Sequence, residues 1–180
     1  EEFGIAPNGS GGPDAYGYSW KDSDEVGGPT FNWIDIGDTG TPALASGDDS
    51  NSGALPIGFA FNYYGTDYTT FNVCSNGWLS FTSTATAYSN SAIPSVSAPL
   101  NMLAPFWDDL NLNAAGSGDI FYQNVGSNLV VQWDGVMRYS TTTPVTFQVI
   151  LTPAGSITYQ YLSFGTALTN SATVGIQNST

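Results

Sequence analysis

Fifteen carboxylates, two cations and no histidine limit the chemistry open to this chain. Seven of the carboxylates fall into three tight groups: Asp22-Ser-Asp24-Glu25, Asp48-Asp49 and Asp108-Asp109. With only Lys21 and Arg138 to neutralise them, neighbouring acids either face water or close on a hard cation. Calcium takes six to eight oxygen ligands and accepts backbone carbonyls and Asn side chains, which are abundant here. Asp22 and Asp24 have the i, i+2 spacing that lets two carboxylates converge from one loop, although the glycine and distal glutamate of a twelve-residue EF-hand loop are missing. Asp108 and Asp109 directly follow Phe106-Trp107, so one of them is expected at the edge of the core, where it needs a metal or backbone donors. The candidate metal ligands are therefore Asp22, Asp24, Glu25, Asp108 and Asp109, with calcium in a structural role. Solvated acidic loops are the competing reading.

Without histidine there is no Ser-His-Asp or Cys-His catalysis and no histidine-ligated zinc. A glycoside hydrolase needs two carboxylates across one bond. Nothing in the spacing singles out such a pair, so a small carboxylate hydrolase is a remote alternative and no catalytic residue is expected. Cys74, the single cysteine, lies in the alternating run Phe71-Asn-Val-Cys-Ser and reads as a small buried hydrophobe. Lys21 and Arg138 read as partners of nearby acids or, for Arg138 beside Tyr139, of an aromatic ring.

Aromatic residues make up 14% of the chain. Neutral sugars are held by a flat ring against their C–H face, with Asn, Asp and Gln on the hydroxyls, and that chemistry needs no net charge. Trp33, Tyr63, Tyr64, Tyr68, Tyr88 and Tyr139 stand outside clean core alternation and are the candidate ligand-binding residues. The richest group is Tyr63-Tyr64-Gly-Thr-Asp-Tyr68. Trp78, Trp107, Trp133, Phe59, Phe61, Phe81, Phe106 and Phe147 occupy strand positions where core filling accounts for them.

The elements that must carry these residues are strands. Alternating or apolar runs appear at 16–20, 31–36, 55–61, 70–75, 78–82, 102–107, 119–123, 128–133, 145–151, 156–161 and 173–177, separated by short Gly- and Asn-bearing turns. Asn76-Gly77 reads as a tight hairpin turn, and Pro105 marks an edge or a bulge. No run of ten residues has helical periodicity. The expected fold is all-β, an antiparallel sandwich of jelly-roll type with about eight to ten short strands. One module over 1–180 is expected, loop-rich and acidic through 53 and regular from 54 onward, with its last strand cut short.

Only 9% of the residues are charged, against about 25% in an average soluble domain, and the net charge is −13. Such a chain repels phosphate backbones and anionic membrane surfaces, which excludes nucleic-acid and membrane partners. No apolar run reaches the ~18 residues of a membrane span, and with no signal-peptide pattern among its residues the chain is expected to be already processed or excised from a longer one.

Four sets of segments carry a resemblance: Gly12-Pro-Asp-Ala-Tyr-Gly-Tyr-Ser-Trp20 with Asp22-Ser-Asp-Glu25; Leu55-Pro-Ile-Gly-Phe59 with Ser75-Asn-Gly-Trp78; Ala104-Pro-Phe-Trp-Asp-Asp-Leu110; and Thr146-Phe-Gln-Val-Ile-Leu151 with Ala172-Thr-Val-Gly-Ile-Gln-Asn178. Together they resemble a β-rich module found repeatedly in large secreted bacterial proteins, beside protease domains or ahead of sorting and anchoring domains. The second half is similar to the nidogen-like domain of matrix and adhesion proteins. The resemblance implies an extracellular, secreted or cell-surface, non-catalytic accessory module.

Resemblance and residues together lead to a binding or attachment module for a neutral polysaccharide or glycan. The alternative is an adhesive or structural subunit that assembles with itself or docks on neighbouring modules, using Phe3–Asn8 as an added strand.

Overall fold

The structure, a computed structural model, describes residues 9–164 and 171–178. The segment 3–8 expected to donate a strand lies outside the described residues. Every regular element among the described residues is a β-strand, and these pair antiparallel throughout. No helix of the described residues is long and apolar enough to cross a membrane. The chain divides into two compact units, 1–33 and 34–180.

The first unit is held by turns. Its strands β1 (Ser10–Gly11) and β2 (Trp20–Lys21) form a two-residue ribbon. Between them the Asp14 carboxylate accepts the N–H groups of Tyr16, Gly17 and Tyr18 at 2.8–3.0 Å. A short polar side chain thus replaces a ladder where no apolar alternation exists to build one. The apolar run at 31–36 is not a strand.

The second unit is a sandwich of two sheets, and its strands follow from the alternation of the sequence. They are β3 (Thr41–Leu44), β4 (Asn51–Tyr63), β5 (Thr66–Cys74), β6 (Trp78–Ser80), β7 (Met102–Trp107), β8 (Leu110–Asn111), β9 (Ile120–Val125), β10 (Asn128–Arg138), β11 (Pro144–Leu151), β12 (Ile157–Ser163) and β13 (Thr173–Gln177). One sheet runs β12-β11-β10-β9-β3 with β8 on the end of β10, the other β13-β7-β6-β5-β4. Pro105 lies opposite a register shift between β7 and β13, so the missing N–H falls at a bulge.

Inward side chains from both sheets fill the space between them. Trp78, Trp107, Trp133, Phe61, Phe71 and Phe147 are fully buried, each contributing about 1.5–3 kcal/mol by its removal from water. Trp133 of β10 stacks on Phe147 of β11 at 4.9 Å, and Phe106 of β7 meets Phe147 across the sandwich at 5.4 Å.

The outer face of the β10–β12 region is covered by backbone. Gln132, Gln148 and Gln160 are buried register partners on three adjacent strands. Gln148 Nε2 donates to the Ile34 carbonyl at 3.0 Å, Gln132 Oε1 accepts the Ile36 N–H at 3.1 Å, and Gln132 Nε2 donates to Asp35 at 3.1 Å. This explains why Ile34–Ile36 reads as a strand without being one. Its apolar residues are buried on the sheet, but its backbone bonds go to glutamine side chains.

Candidate binding site

Three of the expected residues, Asp109, Tyr88 and Tyr139, meet Asp48 and Asp49 in the second unit. Asp48 and Asp49 lie on the loop between β3 and β4, Asp109 on the turn between β7 and β8, Tyr88 in the long connection from β6 to β7, and Tyr139 just beyond β10. These five residues line one cavity of about 280 Å³. Asp48, Asp49 and Asp109 each bring a carboxylate oxygen within 4.8 Å of the others. Tyr88 and Tyr139 are half exposed beside them, at 51% and 50%.

Each side chain is held by identifiable bonds. The β5–β6 turn supplies Asn76, wholly buried, as the hub. Its Nδ2 donates to Asp49 Oδ1 at 2.9 Å, and its Oδ1 accepts the Leu110 N–H at 2.8 Å. Ser75 Oγ donates to the Asp48 carbonyl and accepts the Ser50 N–H. The two acidic loops are thus fastened to one turn. Gly77 completes that turn at φ +75°, and a Cβ there would lie 1.8 Å from the Phe106 carbonyl oxygen. Only glycine fits. Tyr139 is held by its N–H on the Asp109 carbonyl at 2.9 Å, and Tyr88 follows Ala87, whose carbonyl is fixed by two buried indoles.

Burial and mutual repulsion dominate the electrostatics. Burial, then the neighbouring Asp49, raises the Asp48 carboxyl above its ordinary range. Burial, then Asp49, Asp48 and Asp108, raises Asp109, against a smaller opposing pull from Arg138. Asp48 Oδ1 is shielded from solvent and has no hydrogen-bond donor among the described residues. A buried acceptor without a donor carries a desolvation cost that a cation would offset.

Asp108 does not join the cluster. Its Oδ2 takes Arg138 Nη2 at 2.7 Å, Arg138 Nε at 2.9 Å and the Ser171 hydroxyl at 2.9 Å, while its Oδ1 accepts the Asp109 N–H. The expectation of a core-edge carboxylate at 108–109 is met, but the cation on Asp108 is Arg138 rather than a metal.

The other expected ligands are placed elsewhere. Asp22 Oδ1 accepts the N–H groups of Asp24 and Glu25, and its Oδ2 accepts that of Gly9, so its carboxylate caps a turn. Asp22, Asp24 and Glu25 form no carboxylate cluster among the described residues. Lys21 Nζ donates to the Val26 carbonyl at 3.3 Å.

Tyr63 is 1% exposed, with its hydroxyl 3.0 Å from the carbonyls of Met102 and Gln177. It belongs to the core because β4 extends through it and alternation turns it inward. Tyr64 and Gly65 form the two-residue turn to β5, both with positive φ. Tyr64 meets the Tyr63 ring edge-on at 4.8 Å, and Tyr68 stacks on Phe81 at 5.0 Å. The tyrosine-rich segment is a packed hairpin end rather than an open loop. Trp33 ends the first unit, stacked on Phe31 at 6.4 Å.

Sequence reasoning selected Tyr88, Tyr139 and Asp109 but did not assign Asp48 and Asp49. Their signal was present as one of three acid doublets. What distinguishes it is Asn76, a turn residue whose side chain reaches Asp49.

Residues 24–180 match the protein family described as NIDO related. No curated protein and no solved structure matches the chain.

Proposed function

This chain belongs to the NIDO-related family, and on that basis we propose that it is a non-catalytic extracellular attachment module that binds a neutral glycan, with calcium on its acidic loops. The observation that carries this reading is the cavity shared by Tyr88, Tyr139 and three carboxylates. Two half-exposed phenol rings offer stacking faces for a sugar ring, and the polar floor offers acceptors for its hydroxyls. The calcium ligands in this reading are Asp48, Asp49 and Asp109. The scarcity of cations across the chain argues for a neutral partner over an anionic one. As a secreted or surface module of a larger bacterial protein, it would hold that protein on a polysaccharide.

Depletion of the protein from solution by insoluble cellulose, xylan and chitin in calcium buffer tests the reading. Tyr88→Ala and Tyr139→Ala are expected to abolish depletion by the active polysaccharide while leaving the unfolding temperature near that of the parent. Retained depletion in both variants removes the site.

A second reading rests on the closeness of the three carboxylates, which is near that of a retaining glycosidase pair. New reducing ends released in the same assay would select a hydrolase. The self-assembling subunit predicts instead a concentration-dependent mass by light scattering and no depletion by any polysaccharide.

A further inference from the structure

We infer that the first unit carries a docking surface for a cationic polypeptide segment, which lays an arginine side chain against the exposed Trp20 indole beside the Asp22 carboxylate. The surface lies wholly within residues 9–33 and is independent of the glycan reading of the second unit.

The ring has a dedicated seat. Trp20 of β2 is the register partner of Gly11 of β1. A Cβ on Gly11 would lie 2.5 Å from Trp20 Nε1, and a Cβ on Gly9 would lie 2.9 Å from Cη2 and Cζ3, at the far end of the indole. The indole therefore lies lengthwise against the backbone of residues 9–11, an approach that the two glycines allow. Neither is among the glycines with positive φ, so close approach rather than turn geometry is what requires them. Despite this seat, Trp20 remains 58% exposed. A tryptophan that buries less than half of itself adds little to a core, and it offers solvent an ordered aromatic surface.

Charge selects the occupant. The same Cβ on Gly9 would lie 2.5 Å from Asp22 Oδ2, so carboxylate and ring border one spot. Three backbone N–H groups hold Asp22 there, from Asp24 and Glu25 on Oδ1 and from Gly9 on Oδ2. They orient the carboxylate without supplying a counter-charge. Strand alternation turns Lys21 to the opposite face of the ribbon, where its Nζ donates to the Val26 carbonyl. Residues 9–33 hold Asp14, Asp22, Asp24 and Glu25 against that one lysine, and none of Asp22, Asp24 and Glu25 forms an ion pair among the described residues. A cation is drawn to the face of an aromatic ring, most strongly to tryptophan, and this ring has a carboxylate beside it. Guanidinium suits both neighbours, since it stacks on a ring while its N–H fork meets a carboxylate. A hard metal ion gains nothing from the indole, an anionic partner is repelled, and a neutral sugar leaves the charge as it was. The net charge of −13 also steers a cationic chain toward the protein from a distance.

Calorimetric titration of the full chain tests this with a capped pentapeptide, glycine throughout except for arginine at its second and fourth positions. The salt is held at about 0.15 M, where exposed charges further apart than ~8 Å are largely screened. The comparison peptide carries citrulline in place of arginine, which keeps the shape and removes the charge. The arginine peptide is expected to bind and the citrulline peptide not to bind. Trp20→Leu should weaken binding by about fivefold or more, and Trp20→Tyr by less, following the order of the rings as cation acceptors. That partial retention separates loss of the indole from loss of the fold. Asp38→Asn combined with Asp119→Asn removes two charges from the second unit and should change the affinity by less than about twofold. Equal binding of the two peptides, unchanged binding by Trp20→Leu, or no binding of the arginine peptide overturns the inference. Cellohexaose bound in a manner that Trp20→Leu abolishes, with no uptake of the arginine peptide, overturns it in favour of a sugar platform. None of these readouts uses polysaccharide depletion by the second unit, so the glycan reading stands or falls separately.

Discussion

The indole nitrogens of Trp78 and Trp107 converge on a single acceptor, the Ala87 carbonyl, each at 2.9 Å. Both rings are fully buried, one on β6 and the other at the end of β7. The connection between those strands is long and has no ladder of its own. The shared carbonyl therefore fixes it immediately before Tyr88. A buried indole N–H needs an acceptor, and here meeting that need positions a residue of the site.

Trp107→Phe keeps most of the apolar volume and removes one of the two donors. The lost hydrogen bond is worth about 0.5–1.5 kcal/mol, which by itself lowers Tm by about 1–6 °C in a protein of this size. Differential scanning calorimetry measures the loss. Glycan depletion should weaken by more than the parallel Phe147→Leu core variant causes at equal Tm, because Trp107, unlike Phe147, bonds the Ala87 carbonyl.

Arg138 and Asp108 form a largely shielded ion pair, with 17% and 9% of their side chains exposed. Arg138→Gln leaves Asp108 with the Ser171 hydroxyl and one backbone N–H but no counter-charge, beside a group that already carries three carboxylates. Breaking a buried pair from one side costs about 3 kcal/mol or more. Urea unfolding should show that loss, and Arg138→Gln with Asp108→Asn should recover more than half of it. Equal losses in the single and double variants would mean that the arginine acts through packing alone.

Stability should depend on pH through carboxyls shifted in opposite directions. Asp134 is raised by burial, then by Asp35, Asp38 and Asp119, as Asp48 is raised by burial and then Asp49, and Asp109 by burial and then Asp49, Asp48 and Asp108. A carboxyl with a raised folded pKa contributes most favourably when protonated in both states, below its ordinary range near pH 4. That contribution is lost as the pH rises through the folded value. Asp35 is lowered by the Gly37 N–H and then by Gln132, so its contribution is present above the ordinary range and lost as the pH falls through its folded pKa. Asp134→Asn should therefore raise Tm at about pH 7 and leave it unchanged near pH 3, whereas Asp35→Asn should lower Tm at about pH 7. Thermal scans across that range check both signs. Without calcium, the parent should gain stability as the pH falls from neutrality toward the ordinary carboxyl range near pH 4, and saturating calcium should flatten that gain.

Cys74 is fully buried, and burial pushes its thiol up to about 12. Because the thiolate is the reactive form, a disulfide reagent at about pH 8 should label the folded protein only on the timescale of unfolding. Guanidinium should expose one equivalent at once. Rapid labelling of the native protein would show that the β5 end opens locally.

Much of the fold was legible in local pattern. Alternating or apolar runs marked the strands from β4 onward except β8, and Asn76-Gly77 marked the turn between β5 and β6, because both depend on neighbours one to three residues away. Ile34–Ile36 was misread because alternation reports burial and not the bonding partner; its partners are the side chains of Gln132 and Gln148, about a hundred residues later. Tyr63 to Tyr68 was misread because the polar residues between the rings look like a loop, whereas Tyr64-Gly65 makes the turn so tight that its flanks remain strand.

The sequence by itself determined that this is an all-β chain of strong negative charge, without histidine chemistry, carrying more acids and rings than one core needs. Tertiary structure alone decided which of them act together. Asp49 and Asp109 are sixty residues apart and meet because one buried side chain, Asn76, bonds to Asp49 and to the N–H beside Asp109. Asp108, next in sequence to Asp109, is withdrawn by Arg138 from another strand. Charge is a property of composition, but the effect of a charge depends on what lies within a few ångströms, and that proximity is set by how the sheets stack and where their turns close.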